Sequence, residues 1–405
     1  MNTDSWLAEQ SESMLADVIE LAELNSGSEN VSGLYAVADW IKNWMHLPQA
    51  AFRSVQLPPR FEINTRGQPA SFPTGPLLRW DFQPTADRRI LLAIHYDTVY
   101  GATHPFQRCV RSGNRLIGPG VADAKGGIVV LRYALQAWQR FFQNNDFGWT
   151  VILNPDEELG SPSTASYWNE IAEEFDFGLL MEPALPGGEL VANRKGSGNY
   201  CLTVHGRAAH AGRHFEEGRN AISKLARVIE RLDALNGQRP GLSVNVGFVQ
   251  GGGPVNIVPD LAQLRFNVRV ATDQCMQWFE DQLALIVDQA EHLDYQLELS
   301  GGITSPPKSV DAKQLELMGI LESVYADTHL PVPEWISTGG VCDGNKLAAA
   351  GLPNLDTLGP IGGNLHSDQE WMNVPSLVLK AQLLVKLLQR LALPDNGLRH
   401  VQSSR

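Results

Sequence analysis

The sequence predicts an α/β protein: a three-layer domain with a mixed, largely parallel sheet, built from both ends of the chain, plus an inserted α+β open-faced sandwich of ferredoxin-like order. Three observations carry this. Short apolar runs of the buried-strand type alternate with helix-length segments in the first half. From about residue 193 to 305 the order changes to strand, helix, strand, strand, helix, strand. Finally, 405 residues exceed one domain of about 150, so residues 1–192 and 306–405 are expected to form one domain and 193–305 the other.

Taken in order, residues 14–45 carry apolar side chains at helical spacing, interrupted by the turn cluster Asn25-Ser26-Gly27-Ser28, which predicts two helices and a loop. A Pro- and Gly-punctuated region runs to Thr85, and residues 89–94 then form an apolar strand that stops at His95. A helix over 125–142, a strand over 149–153, a polar helix to Glu174 and a strand over 177–181 follow. In the insert, strands are expected at 199–204, 242–249, 262–270 and 295–299, with helices at 220–235 and 274–291. After Pro306-Pro307 the helix-strand-helix pattern returns and ends in an apolar helix over 377–391.

Composition narrows the functional classes. Lys and Arg number 32 against 45 Asp and Glu, a net charge of −13, and no basic run could neutralise a phosphate backbone, which argues against nucleic acid. Cys109, Cys201, Cys275 and Cys342 lie far apart, so neither a thiolate zinc site nor a disulfide framework is readable and a reducing compartment is expected. The N-terminus carries early acids without the basic start of a secretory signal. No window approaches the roughly 18–20 apolar residues that span a bilayer. A cytoplasmic protein with no membrane partner is the expectation.

Three expected strands finish in possible metal ligands: His95 and Asp97 after the first, Asp156, Glu157 and Glu158 after the second, Glu182 after the third. In sheets of this type, ligands bind beyond the carboxyl ends of the strands, so these groups should share one crevice. Asp123 lies in the glycine-rich loop 118–127 before a helix. That loop is not a dinucleotide fingerprint, because Asp123 occupies the third glycine position. In extended chain, residues i and i+2 share a face, so Asp97 can hold one nitrogen of His95 while the other binds metal. Carboxylates gathered at neighbouring strand ends repel one another unless cations neutralise them. Of the adjacent Glu157 and Glu158, one can bind metal while the other stays free; spacing does not say which.

The segments 95–99, 118–127, 154–161 (Asn-Pro-Asp-Glu-Glu-Leu-Gly-Ser), 181–183 (Met-Glu-Pro) and 365–368 (Leu-His-Ser-Asp) resemble, in order and spacing, the motifs of the zinc-dependent aminoacylase and carboxypeptidase family. That family includes acetylornithine deacetylase, succinyl-diaminopimelate desuccinylase and bacterial glutamate carboxypeptidase. The 25–28 turn and the Met-Glu-Pro triplet are most similar to the last branch. The resemblance implies two zinc ions, with cobalt a possible substitute: His95 and Glu182 on one, Glu158 and His366 on the other, Asp123 bridging. It implies Glu157 as general base and Asp97 as the partner of His95. The insert resembles the family's dimerisation domain, marked by residues 204–212. There His210 would reach the partner's active site in a homodimer and stabilise the oxyanion. Asn256 and Arg269 match positions that hold the substrate carboxylate, with Lys195 a further candidate. Cys342 stands where many relatives carry Ser or Thr; altered substrate contacts are expected there, not a nucleophile. The remaining histidines, His46, His104, His205, His214, His292, His329 and His400, are read as structural or surface residues.

The function implied is hydrolysis of an amide or peptide bond next to a free carboxylate, of the carboxypeptidase type, on a small peptide. An N-acyl-amino-acid deacylase would use the same metals and base on the other side of the amide. A metal-containing binding protein without turnover is the third reading, and the presence of Glu157 beside all five implied ligands argues against it.

Overall fold

The computed structural model describes residues 2–142, 147–290 and 294–393. Glu291, His292 and His400 therefore lie outside the described residues.

The strand Arg88–His95 sits inside a six-stranded sheet whose order is Ala51–Val55, Leu77–Phe82, Phe147–Asn154, Arg88–His95, Phe177–Leu180, Asn354–Leu355. The last four run parallel, Leu77–Phe82 runs against them, and Ala51–Val55 pairs antiparallel to it at the edge. Period-two alternation then sorts the side chains into layers. Ile90, Leu92 and Ile94 pack with the helices Ser11–Glu23, Val31–Trp44, Lys125–Phe141 and Val374–Ala392. Leu91 and Ala93 pack on the opposite face with Trp168, Ile171 and Leu347.

Departures from expectation include a helix end and a buried strand. The helix expected up to Glu174 ends as an α-helix at Ile171 and closes with a 3₁₀ turn, Ala172–Glu174. The punctuated region before Thr85 contains the fully buried strand Leu77–Phe82. Arg79 and Asp81 break its apolar pattern, yet both are buried because they pair at 2.9 Å, with Glu174 on the guanidinium at 2.8 Å and the Thr150 hydroxyl donating to Asp81 at 2.8 Å.

The insert builds its own core. Four antiparallel strands lie in the order Ser243–Gly251, Leu261–Val270, Gly196–His205, Gln296–Ser305, and the helices Ala221–Asp233 and Asp273–Ala290 cover one face. Alternation leaves Gln263, Arg265, Asn267 and Arg269 on the helix-free face of the strand whose Leu264, Phe266 and Val268 fill the core. A hairpin, Arg60–Ile63 with Pro69–Phe72, lies against this face. There Arg265 donates to the Ile63 carbonyl at 2.7 Å and Gln263 to that of Asn64 at 3.1 Å.

Candidate metal centre

The parallel strands deliver their side chains to one crevice at their carboxyl ends, as the topology requires. His95 ends its strand with its ring fully buried, and its Nε2 lies 3.1 Å from Asp123 Oδ1 and 3.8 Å from Glu182 Oε2. The other oxygen of Asp123 lies 3.4 Å from His366 Nε2, which is also 3.1 Å from Glu158 Oε2. Asp123 thus stands between two imidazoles, each with a second carboxylate beyond it. His366 reaches this position from a turn in the left-handed region, φ 60°, uncommon for a residue other than glycine. The peptide bond between Asp123 and Ala124 is cis.

Asp97, fully buried, organises the crevice from beneath. Its Oδ1 lies 3.3 Å from His95 Nδ1 and accepts the Glu157 N–H at 3.1 Å, while its Oδ2 accepts the Ser28 hydroxyl at 2.7 Å and the Glu158 N–H at 3.2 Å. The Asp97 backbone carbonyl, 3.0 Å from His95 Nδ1, holds the ring, with the carboxylate beside it, and the carboxylate anchors the 3₁₀ turn Glu157–Leu159. Within that turn Glu158 faces His366, and Glu157 makes no side-chain hydrogen bond or ion pair among the described residues.

The electrostatics are those of a site short of positive charge. Burial, outweighing the pull of His95, pushes the Glu182 carboxyl up to about 8. Burial and the Asp123 charge push Glu158 up to about 7, and desolvation holds Glu157 well above the carboxylate range. Burial opposes the charge of His95, but Glu182, Asp123 and Asp97 hold its pKa well above the ordinary imidazole value. Hydrogen bonds to Asp123 and Glu158 raise His366 to about 11. Burial would raise Asp123, yet the two histidines keep it below its usual range. Cations set among these groups would supply the compensation that retained protons supply here. The donors are carboxylate oxygens and imidazole nitrogens, a set that suits zinc and similar divalent ions.

Other candidates fall elsewhere. Asp156, a possible ligand by its place at a strand end, is turned away: it accepts the N–H groups of Ser163 at 2.6 Å and Thr164 at 3.2 Å and the Thr164 hydroxyl, closing its own loop. His210, on a two-stranded ribbon, and Asn256, in the turn just before that ribbon's second strand, are exposed, and Ala211 N–H donates to the Asn256 carbonyl at 2.9 Å. Arg269 donates to Asn267 Oδ1 at 3.0 Å and to the Gly339 carbonyl at 3.4 Å. Among the described residues, none of these three nor Lys195 bonds to the histidine–carboxylate cluster within one chain. Cys342 is 2% exposed, so it offers no surface to a substrate, and burial pushes its thiol up, away from thiolate. Ser28, from the 25–28 turn already singled out, supports the cluster through Asp97, and Tyr100 and Glu370 support it without any motif to announce them.

The sequence pattern of peptidase family M20/M25/M40 matches residues 91–390. Carboxypeptidase G2 of Pseudomonas sp. (strain RS-16) is 27% identical over 338 residues, 81% of this chain and 80% of that protein. A family M20 metallo-carboxypeptidase from Sulfolobus solfataricus has the same fold, with a TM-score of 0.73 at 16% identity over 94% of this chain and 99% of its own. A dinuclear metal-binding M20 peptidase from Bacillus subtilis gives 0.63 at 14% identity over 94% and 98%.

Proposed function

The chain belongs to peptidase family M20/M25/M40, and from that premise we propose that it is a di-zinc carboxypeptidase-type hydrolase cutting an amide or peptide bond beside a free carboxylate. The observation that carries this reading is Asp123, whose two oxygens each face a different imidazole. His95 and Glu182 would hold one ion, Glu158 and His366 the other, with Asp123 shared between them. The 3.1 Å approach of Glu158 to His366 supports Glu158, not Glu157, as the ligand of the adjacent pair.

Metal ions bound here lower the pKa of water and polarise a carbonyl oxygen. Glu157, left free of ligand duty, takes the proton of the attacking water as the C–O bond forms, then gives it to the departing nitrogen as the C–N bond breaks. The products are a carboxylate and an amine. Asp97 keeps His95 in one orientation and the base-bearing turn in place. Arg269 and Asn256 hold the substrate's free carboxylate, the guanidinium suiting a two-point contact. His210 acts on the partner's site in a homodimer formed through the insert. The edge strand Ser243–Gly251, whose Val249 is 54% exposed, supports that pairing.

The test is a panel of peptides ending in glutamate and other residues, set beside N-acetyl amino acids, with protein before and after chelation and after zinc is restored. Zinc-dependent release of the C-terminal residue is expected. A preference for the acetylated set moves the assignment to a deacylase, and fully metallated protein inert on both sets overturns the reading.

A further inference from the structure

Glu370 lies outside the proposed ligands and outside every motif read from the sequence, yet it is 1% exposed. The strand Trp371–Asn373, paired with Arg115–Ile117, brings it under the Asp123 loop, where its own carbonyl accepts the Gly118 N–H at 3.2 Å. Its carboxylate is fully occupied. Oε1 accepts the N–H groups of Ala122 at 2.9 Å and Asp123 at 3.0 Å; Oε2 accepts the Gly120 N–H at 3.0 Å and the Tyr100 hydroxyl at 2.8 Å. The same hydroxyl lies 2.8 Å from the carbonyl of Ser367, the neighbour of His366.

Each contact ends on a stretch of chain that carries a proposed ligand. Tyr100 lies in the loop leaving His95, Gly120 to Asp123 form the loop of the bridging carboxylate, and Glu370 closes the turn that begins at His366. Val121, Ala122 and Ala124 pack the Asp123 loop into the core, but packing leaves the loop's N–H groups at Gly120, Ala122 and Asp123 to be satisfied by a buried acceptor. Gly120 takes φ 70°, and a Cβ there would meet Thr98 Cγ2 at 2.8 Å, so the loop needs glycine and gains no side-chain anchor at that point. Hydrogen bonds from backbone N–H to a carboxylate are the strong kind, and three of them converge on one side chain.

We infer that Glu370 is a positioning residue for the metal centre: together with Tyr100 it braces the Asp123 loop against the His366 turn and sets the span over which two ions share Asp123. The inference rests on the dinuclear reading above. Because Glu370 is buried under the loop, it acts through metal occupancy and not through contact with substrate. An amide in its place cannot serve all of these donors, since its NH₂ would face a backbone N–H.

The experiment is competition titration of zinc into metal-free wild type, Glu370→Gln and Tyr100→Phe against a chromophoric chelator, with circular dichroism and melting temperature recorded on the same samples. Expected is a loss of about 10–100-fold in zinc affinity for Glu370→Gln, the range for losing an outer partner of a metal ligand, and a smaller loss in the same direction for Tyr100→Phe. At saturating zinc, kcat should recover toward wild type. A role confined to fold stability would lower the melting temperature and leave zinc affinity alone. Wild-type zinc affinity in both variants overturns the inference whatever happens to melting. If Glu370→Gln fails to fold, Tyr100→Phe, which removes one hydroxyl, decides alone. Wild type that takes up fewer than two ions fails the dinuclear reading itself, and the brace falls with it.

Discussion

Replacing Asp97 by asparagine tests how far one buried carboxylate holds the site together. The change keeps the shape and removes the charge, and whichever way the amide is turned its NH₂ meets a donor. One orientation sets it against the Glu157 N–H, now 3.1 Å from Oδ1, and against His95 Nδ1 at 3.3 Å. The other sets it against the Glu158 N–H, 3.2 Å from Oδ2, and against the Ser28 hydroxyl, which can rotate to accept. Hydrogen bonds to a charged group contribute about 1.5–3 kcal/mol each, so losing one to two costs about 2–6 kcal/mol in the metal-free protein. The scale of about 2–4 °C per kcal/mol holds for domains of 150–250 residues and falls with size, so in this larger domain a loss of about 2 kcal/mol lowers the melting temperature by up to about 4–8 °C. The Asp97 carbonyl, 3.0 Å from His95 Nδ1, stays in place, but the negative charge beside the ring and the anchor of the Glu158 turn are lost, so zinc affinity should also fall, by up to about 10–100-fold. Calorimetry of the metal-free variant and a zinc competition titration measure the two effects separately. Ser28→Ala, which removes a single donor, should lose one such bond, about 1.5–3 kcal/mol, and its melting temperature should fall less than that of Asp97→Asn. If Asp97→Asn melts with wild type and binds zinc equally well, the reasoning is refuted.

Glu157→Gln should keep its full metal content while kcat falls by at least about 10²–10⁴, the contribution of a positioned general base; metal analysis beside single-turnover kinetics decides, and undiminished turnover removes the assignment. Mixing Glu157→Gln with His210→Ala subunits should restore activity that neither variant has alone, because only a heterodimer joins an intact base to a histidine arriving from the partner. No recovery on verified heterodimers places His210 within its own chain. The pH dependence of the metal-free protein has a definite sign: Glu158 and Glu182, at about 7 and about 8 in the fold, lie above their unfolded value of about 4.3, so the native state holds the extra protons. Its stability should therefore fall as pH rises from about 5 to 7, with His95 and His366, both raised, adding in the same direction. Lys125, pushed down by burial to about 7, opposes this from about pH 6 upward, and Lys380, pushed down to about 8, from about pH 7, so the fall is clearest at the acid end of the interval. The rise in melting temperature on adding zinc should grow over the same interval, and a metal-free protein that gains stability from pH 5 to 7 contradicts the charge balance described here.

What could be read from the chain alone follows a physical pattern. His95, Glu158 and Glu182 were legible because apolar strands end on them and parallel topology brings strand ends together. Asp156 meets the same description and was misplaced by it: Thr164 and the N–H of Ser163 lie close enough in sequence to satisfy it locally, a competition that position at a strand end does not reveal. Glu157 and Glu158 were indistinguishable by spacing and separate only through the 3₁₀ turn that swings Glu158 toward His366. The strand Leu77–Phe82 was hidden because Arg79 and Asp81 are buried as a pair, and hydropathy counts each as exposed. Glu370 was invisible for a related reason, since its partners are backbone N–H groups that no residue type announces. The 60–72 hairpin left no signal beyond proline and glycine, and its contact with the insert runs through backbone carbonyls.

The most direct measurement of the central claim is calorimetric titration of zinc into metal-free wild type and Asp123→Asn. If Asp123 bridges two ions, wild type takes up two per chain, and the variant retains at most one at comparable affinity. Uptake of a single ion or none by wild type, or two ions at unchanged affinity in the variant, would contradict the account.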